Sequence, residues 1–225
     1  MVSIYNLCTF LGCSVLYSSF EHVKLKQVGP ESVNIRHGGQ LELTCLATGS
    51  PAPNVSWYKN GLFVFHEPDT SLTSGSSSLG ETIAKLRIPC ISEADAGQYE
   101  CRAVSGHHQE SHVTTVKVVD ANDSDTDCID TADTDITMWR PTVMTPIGHT
   151  VVLPCRVSQL DSVNTQWTRD GGDDMSDDHF HVSDHGDLII SHVSWSHMGQ
   201  YTCKVTNMRT ARTSSKTSFL YPMAS

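Results

Sequence analysis

From about Val23 onward, apolar and polar side chains alternate in short stretches separated by clusters of Gly, Ser, Pro and Asn. A period of two puts one set of side chains on one face of a strand, so this rhythm predicts short strands half-buried against a core. In Leu41-Glu42-Leu43-Thr44-Cys45-Leu46-Ala47 the inward set is Leu41, Leu43, Cys45 and Ala47. Gly49-Ser50-Pro51-Ala52-Pro53 breaks this strand, Val55-Ser56-Trp57-Tyr58 supplies the next with Val55 and Trp57 inward, and Lys59-Asn60-Gly61 is a turn by composition. Leu86-Arg87-Ile88 with Ile91 gives a further strand that enters a tight corner. The second half repeats the order, with Val151 to Val157, Val163 to Arg169 around Trp167, and Leu188-Ile189-Ile190 with Val193.

Each half ends its pattern on the same corner. Gly97-Gln98-Tyr99-Glu100-Cys101 and Gly199-Gln200-Tyr201-Thr202-Cys203 share Gly-Gln-Tyr-x-Cys, and each looks back to a tryptophan and an earlier cysteine. In both halves the tryptophan, Trp57 or Trp167, lies twelve residues after the first cysteine, Cys45 or Cys155. A disulfide between two sheets, a tryptophan packed on it and a tyrosine two residues before the second cysteine together describe an immunoglobulin-type sandwich. The chain of 225 residues holds two such units of about 100 residues each. The expected fold is therefore all-β: two tandem immunoglobulin-like sandwiches of the I-set/C2 type, with Cys45–Cys101 and Cys155–Cys203 bridges and Trp57, Tyr99, Trp167 and Tyr201 in the cores. Residues 1–19 are expected to be a signal peptide, 20–120 the first domain, 121–137 an acidic linker and 138–225 the second domain.

Charge changes this picture only in the linker. The net charge is −10, but residues 20–119 carry ten acids and eight bases, residues 136–225 carry eight acids and seven bases, and residues 120–135 carry seven Asp and no base. Like charges at that density keep a linker extended. Asp123-x-Asp125-x-Asp127 resembles the start of a calcium loop, but Cys128 stands where Gly is needed and Thr134 where Glu is needed, so a solvated spacer is the better reading. No basic stripe of the kind nucleic acid requires is present.

Met1 to Phe20 has no charged side chain, and its apolar run Ile4 to Leu16 is too short to cross a bilayer. Nothing later in the sequence is apolar enough to span one, so a secreted protein with no membrane span is expected. Cys8 and Cys13 leave with the leader, and six cysteines remain, an even number in an oxidising compartment. Two sandwich pairs use four. Cys90 sits at the end of the strand that enters the first corner, at the same end of the sandwich as the exit toward Cys128, so a Cys90–Cys128 bridge is predicted.

Candidate chemistry is sparse. Leu62-Phe63-Val64-Phe65 places apolar residues at successive positions, so at least one of Phe63, Val64 and Phe65 looks outward, either as a contact site or beneath a neighbouring strand or the second domain. Phe63 and Phe65, with His107 and His108 at a hairpin turn, are the candidate binding residues. His179, His181 and His185 lie close in sequence, but spacing alone supplies neither a fourth zinc ligand nor a second shell, and exposed strand and turn histidines are the preferred reading. No metal or other cofactor is expected. Asp170 to Asp187 is acid-rich while Lys204, Arg209, Arg212 and Lys216 lie on the last two strands, a dipolar surface or ordinary solvated loops. Asn54-Val55-Ser56 and Asn122-Asp123-Ser124 are sequons, with Asn54 expected to face outward beside inward Val55. Gly-x-Ser-x-Gly, His-Glu-x-x-His and phosphate-binding glycine loops are absent, and the bridges leave no thiol nucleophile, so enzyme activity is not expected.

The run His185-Gly186-Asp187-Leu188-Ile189-Ile190-Ser191, then Trp195-Ser196-His197-Met198-Gly199-Gln200-Tyr201-Thr202-Cys203, and the closing Phe219-Leu220-Tyr221-Pro222-Met223 carry a family resemblance. Nearly the whole mature chain resembles the secreted two-immunoglobulin-domain (zwei-Ig) proteins of nematodes and their insect relative, the imaginal morphogenesis protein. His197 departs from the Asp usual at that corner, present here as Asp95. The resemblance implies a secreted protein of the nervous system that keeps axons and neurons in position through extracellular or cell-surface protein partners. The insect relative implies instead capture of insulin-like peptides.

Overall fold

The computed structural model describes residues 21–65, 78–119, 134–157, 162–171 and 175–224, with the side chain of Phe65 outside the description. The first domain contains β1 (His22–Gln27), β2 (Ser32–Arg36), β3 (Leu41–Ser50), β4 (Asn54–Lys59), β5 (Leu62–Phe65), β6 (Leu79–Ile88), β7 (Gly97–Ser105) and β8 (His108–Val119). The second contains β9 (Ile136–Trp139), β10 (Thr142–Pro146), β11 (Val151–Leu153), β12 (Cys155–Val157), β13 (Val163–Arg169), β14 (Phe180–Val182), β15 (Leu188–Ile190), β16 (Gly199–Asn207) and β17 (Thr213–Met223). The alternating faces are those of the hydrophobic pattern. In β3, Leu41, Leu43, Cys45 and Ala47 are buried, while Glu42 is exposed and Thr44 and Leu46 are half-buried.

In domain 1 the order β2-β8-β7-β4-β5 makes one sheet, and β1-β3-β6 begins the other. Cys45 and Cys101 join the two, with Cα atoms 6.4 Å apart, and Trp57 is buried beside them. Domain 2 repeats this with Cys155 and Cys203, also 6.4 Å between Cα atoms, and Trp167, whose Nε1–H donates to Gly186 O at 2.8 Å. The two tyrosines close their corners alike: Tyr99 Oη donates to Asp95 O and Tyr201 Oη to His197 O, each at 2.8 Å. Cys90 is disulfide-bonded, and Cys128, its predicted partner, lies outside the described residues.

The domains are not two beads on a string. Strand β6 pairs with β10 through Val143–Gly80 and Met144–Leu79, and with β9 through Ile83–Trp139 and Ala84–Met138. One sheet therefore runs β1-β3-β6-β10-β17-β16-β13 across both domains, with β9 also bridging to β12. Pairing on both edges satisfies the backbone groups of β6 that an edge strand leaves open. The packing interleaves as well. Met138 is buried in the domain 1 core and Ala52 in that of domain 2. This corrects the expected linker boundary: Ile136 and Thr137, assigned to the acidic spacer, are buried in β9.

A candidate binding surface across the two domains

Where β6 meets β10, the two strands approach so closely that a side chain on Gly80 has no room. A Cβ there would lie 2.9 Å from Thr142 O and 3.0 Å from the Ala52 Cβ. Beneath this contact sits Arg140, in the short break between β9 and β10. It is 3% exposed and its guanidinium is spread over acceptors from both domains. Nη1 donates to Val152 O at 2.8 Å, Nη2 to Asn54 Oδ1 at 3.0 Å and to Ala52 O at 3.4 Å, and Nε to Thr82 Oγ1 at 3.3 Å. Thr82 Oγ1 in turn donates to Pro53 O at 2.5 Å. Burial pushes the Arg140 pKa down to about 10, against a smaller opposing pull from Asp187, and the group stays charged at neutral pH. A planar fork that satisfies several carbonyls at once suits guanidinium and not ammonium.

That lock explains the fate of Asn54. Its carboxamide was expected to face outward, yet it is 9% exposed and holds Arg140. The reason is that the second domain covers this end of β4, which local alternation cannot report. Asn122, the other sequon, lies outside the described residues.

On the outer face of the shared sheet the register aligns apolar side chains across the junction, exposed Leu79 and Tyr221 on either side of half-buried Met144. Met144 pairs with Leu79 on one side and with Tyr221 on the other. Cross-strand partners share a face, so the three form one row, with Leu79 39% and Tyr221 41% exposed. Trp195, 52% exposed, extends the row by packing edge-on against Tyr221 with ring centroids 6.1 Å apart. Next to Leu79 and Met144 a cleft of about 440 Å³ opens between the domains, lined also by His22, Lys26, Thr48, Glu81 and Thr142. A continuous apolar row beside a cleft with both charges is suited to a polypeptide partner.

The residues singled out from sequence do not assemble into one site. Phe63 is 43% exposed and stacks edge-on against Tyr58 at 5.9 Å, with the Arg102 guanidinium 4.0 Å from the other ring. Register places Phe63 beside Tyr58 and Tyr58 beside Glu100, whereas His107 lies in the turn beyond Ser105 and His108 opens β8 opposite Ser105. Five residues of strand, roughly 17 Å, separate them. His107 N instead donates to Glu21 Oε2 at 2.9 Å. Asp187 leaves the acidic group altogether: it is buried and its Oδ1 accepts from Arg156 Nε at 2.8 Å and Cys155 N at 3.1 Å. Lys216 packs its Nζ over the Trp139 ring at 4.6 Å. Among the described residues no group of His, Cys, Asp and Glu could hold a metal ion, and no helix is long and apolar enough to cross a membrane. Sequence reasoning missed Arg140, Leu79, Met144, Tyr221 and Trp195. Only Trp195, an aromatic at the corner position that Glu93 occupies in domain 1, leaves a trace in the sequence.

Comparison with known proteins agrees with this architecture. The chain is 27% identical to Zwei Ig domain protein zig-2 of Caenorhabditis elegans, over 86% of this chain and 82% of the relative. It is 28% identical to zig-4 of the same organism, over 89% and 81%. The crystal structure of neural ectodermal development factor IMP-L2 superimposes on 91% of this chain and 96% of its own, with a TM-score of 0.73 at 21% identity. The immunoglobulin domain model matches residues 26–105 and 135–207, and with both halves matched the chain belongs to the immunoglobulin-domain family, as two such domains in tandem.

Proposed function

We propose that this is a secreted, non-enzymatic binding protein of the nervous system that holds axons and neurons in position through extracellular protein contacts, its partner docking on the outer face of the cross-domain sheet. The observation that carries this reading is the apolar row in which strand register aligns exposed Leu79, half-buried Met144 and exposed Tyr221 across two domains, and exposed Trp195, from the neighbouring turn, packs on Tyr221. Similarity over most of the chain to two zwei-Ig proteins, and in fold to a neural ectodermal development factor, supports the neural setting. The test is binding of labelled protein to cultured neurons and their matrix. Tyr221→Arg is expected to reduce bound protein by about tenfold or more, since a charge at the centre of an apolar contact is left unpaired. Unchanged binding by Tyr221→Arg rejects this face.

A second reading is capture of insulin-like peptides. The cleft favours it, being large enough to take one apolar edge of a small folded peptide beside the row. Calorimetric titration with insulin-like peptides checks it: no heat at micromolar concentration removes it. If they bind, a Phe63→Glu variant that keeps its affinity while Tyr221→Arg loses it separates this face from the domain 1 patch.

A further inference from the structure

The two corners are built alike but closed by different chemistry. In domain 1 a short 3-10 turn, Glu93–Asp95, is capped by Asp95, whose Oδ2 accepts from Ser92 N at 2.8 Å and Ser92 Oγ at 2.7 Å. In domain 2 the matching turn, Trp195–His197, is capped by His197, whose Nδ1 accepts from Ser194 N at 3.1 Å with Ser194 Oγ at 3.5 Å. A carboxylate accepts at any pH above its own range. An imidazole accepts at Nδ1 only while it is neutral, and once protonated both of its nitrogens donate. The turn so capped begins with Trp195, the end of the apolar row.

We propose that this corner is an acid-released clasp on the binding face: protonation of His197 sets an N–H against the Ser194 N–H, ejects the cap and frees the turn that carries Trp195. The surroundings favour the neutral form. His197 is 6% exposed, with the His179 ring 5.2 Å away and the Phe180 ring at 5.5 Å. His179 Nδ1 is itself engaged with Ser191 O at 3.0 Å, and His192 lies 6.2 Å beyond it. From β13, Arg169 Nη2 donates to Met198 O at 3.1 Å and also to Ser196 O. From β16, Tyr201 Oη holds His197 O. Burial first, then His179 and Arg169, hold the His197 pKa below the usual histidine value of 6.5, against an opposing pull from Asp177. With the folded-state value depressed, the unfolded chain binds the extra proton first, so the clasp is fully stable above about pH 6.5 and weakens as pH falls through the lower folded value. The first domain, whose matching turn is capped by a carboxylate and not an imidazole, is an internal control.

The importance of this clasp for partner release rests on the proposed docking face, but its test does not. Amide hydrogen exchange of Ser194 and Ser92 is measured on the whole protein. Between about pH 7.5 and about pH 5.5, protection of Ser194, corrected for intrinsic rates, is expected to fall severalfold, up to about tenfold, while that of Ser92 holds. In the same range Trp195 emission, taken as the difference from Trp195→Phe, is expected to shift to the red. His197→Asp, which copies domain 1, should abolish both changes. Should that variant fold poorly, His197→Asn, a neutral acceptor at every pH, is expected to do the same. Equal pH response of Ser194 and Ser92, or a Ser194 step that persists in His197→Asn, overturns the proposal. Neither result bears on whether Tyr221→Arg weakens binding, so the clasp and the docking face fail separately.

Discussion

Arg140 is one side chain that reads two domains. It is a buried charge whose recorded hydrogen bonds go to carbonyl, hydroxyl and carboxamide oxygens, and those oxygens lose their donor if it is removed. Buried acceptors left without partners cost more than the bonds themselves contribute. Arg140→Ala is therefore expected to destabilise the protein by about 3 kcal/mol, measured by urea unfolding at neutral pH. Arg140→Lys recovers little of that, because one ammonium cannot reach acceptors spread around a planar fork. A variant as stable as the parent removes Arg140 from its role. In the sequence Arg140 stands between Trp139 and Pro141 with no pattern around it, and nothing local distinguishes it from an arginine in a turn.

At the scale of elements, β6 decides the molecule. Its own alternation is ordinary: Thr82, Ala84 and Leu86 are buried, Glu81, Ile83 and Lys85 less so. Leu86-Arg87-Ile88 was expected as a strand of the first sandwich, and the strand that contains it reaches back to Leu79. What alternation does not encode is the neighbour on the far edge, because pairing there depends on β9 and β10 arriving from about 60 residues later. Gly80 is the element's concession to that arrival. Gly80→Val is expected to force β10 away and to split one calorimetric unfolding transition into two, each domain keeping its disulfide and its core. A single transition at the parental temperature in the variant counts against the junction as the coupling element. The corners, by contrast, were fully legible, since Cys, Trp and Tyr at fixed spacing have few other structural uses.

For the whole molecule, interleaved cores and a shared sheet turn two family-standard sandwiches into one surface. Neither domain alone has the apolar row: Leu79 comes from the first, Met144, Tyr221 and Trp195 from the second. The acidic stretch that joins them contains Cys128, which is expected to pair with Cys90 beside the first corner. Closing a loop of that size contributes on the order of 4 kcal/mol in the chain-entropy model. Peptide mapping of unreduced protein is expected to recover Cys90 joined to Cys128, and either cysteine found with another partner sinks the pairing.

The amino-acid sequence alone determined the fold class, the two disulfide-and-tryptophan cores and the tyrosine corners, because those depend on side-chain chemistry at short, regular separations. It also carried the exchange of Asp95 for His197, the root of the proposed acid response. Only the tertiary structure decided that Asn54 is covered, that Arg140 is buried, and that Leu79, Met144, Tyr221 and Trp195 lie side by side. The physical reason is that pairing β6 with β9 and β10 brings together residues distant in sequence. The corner at Gly-Gln-Tyr-x-Cys belongs to both levels: its closure is written in local residues, while its place at the end of the apolar row is set by the neighbour it packs against.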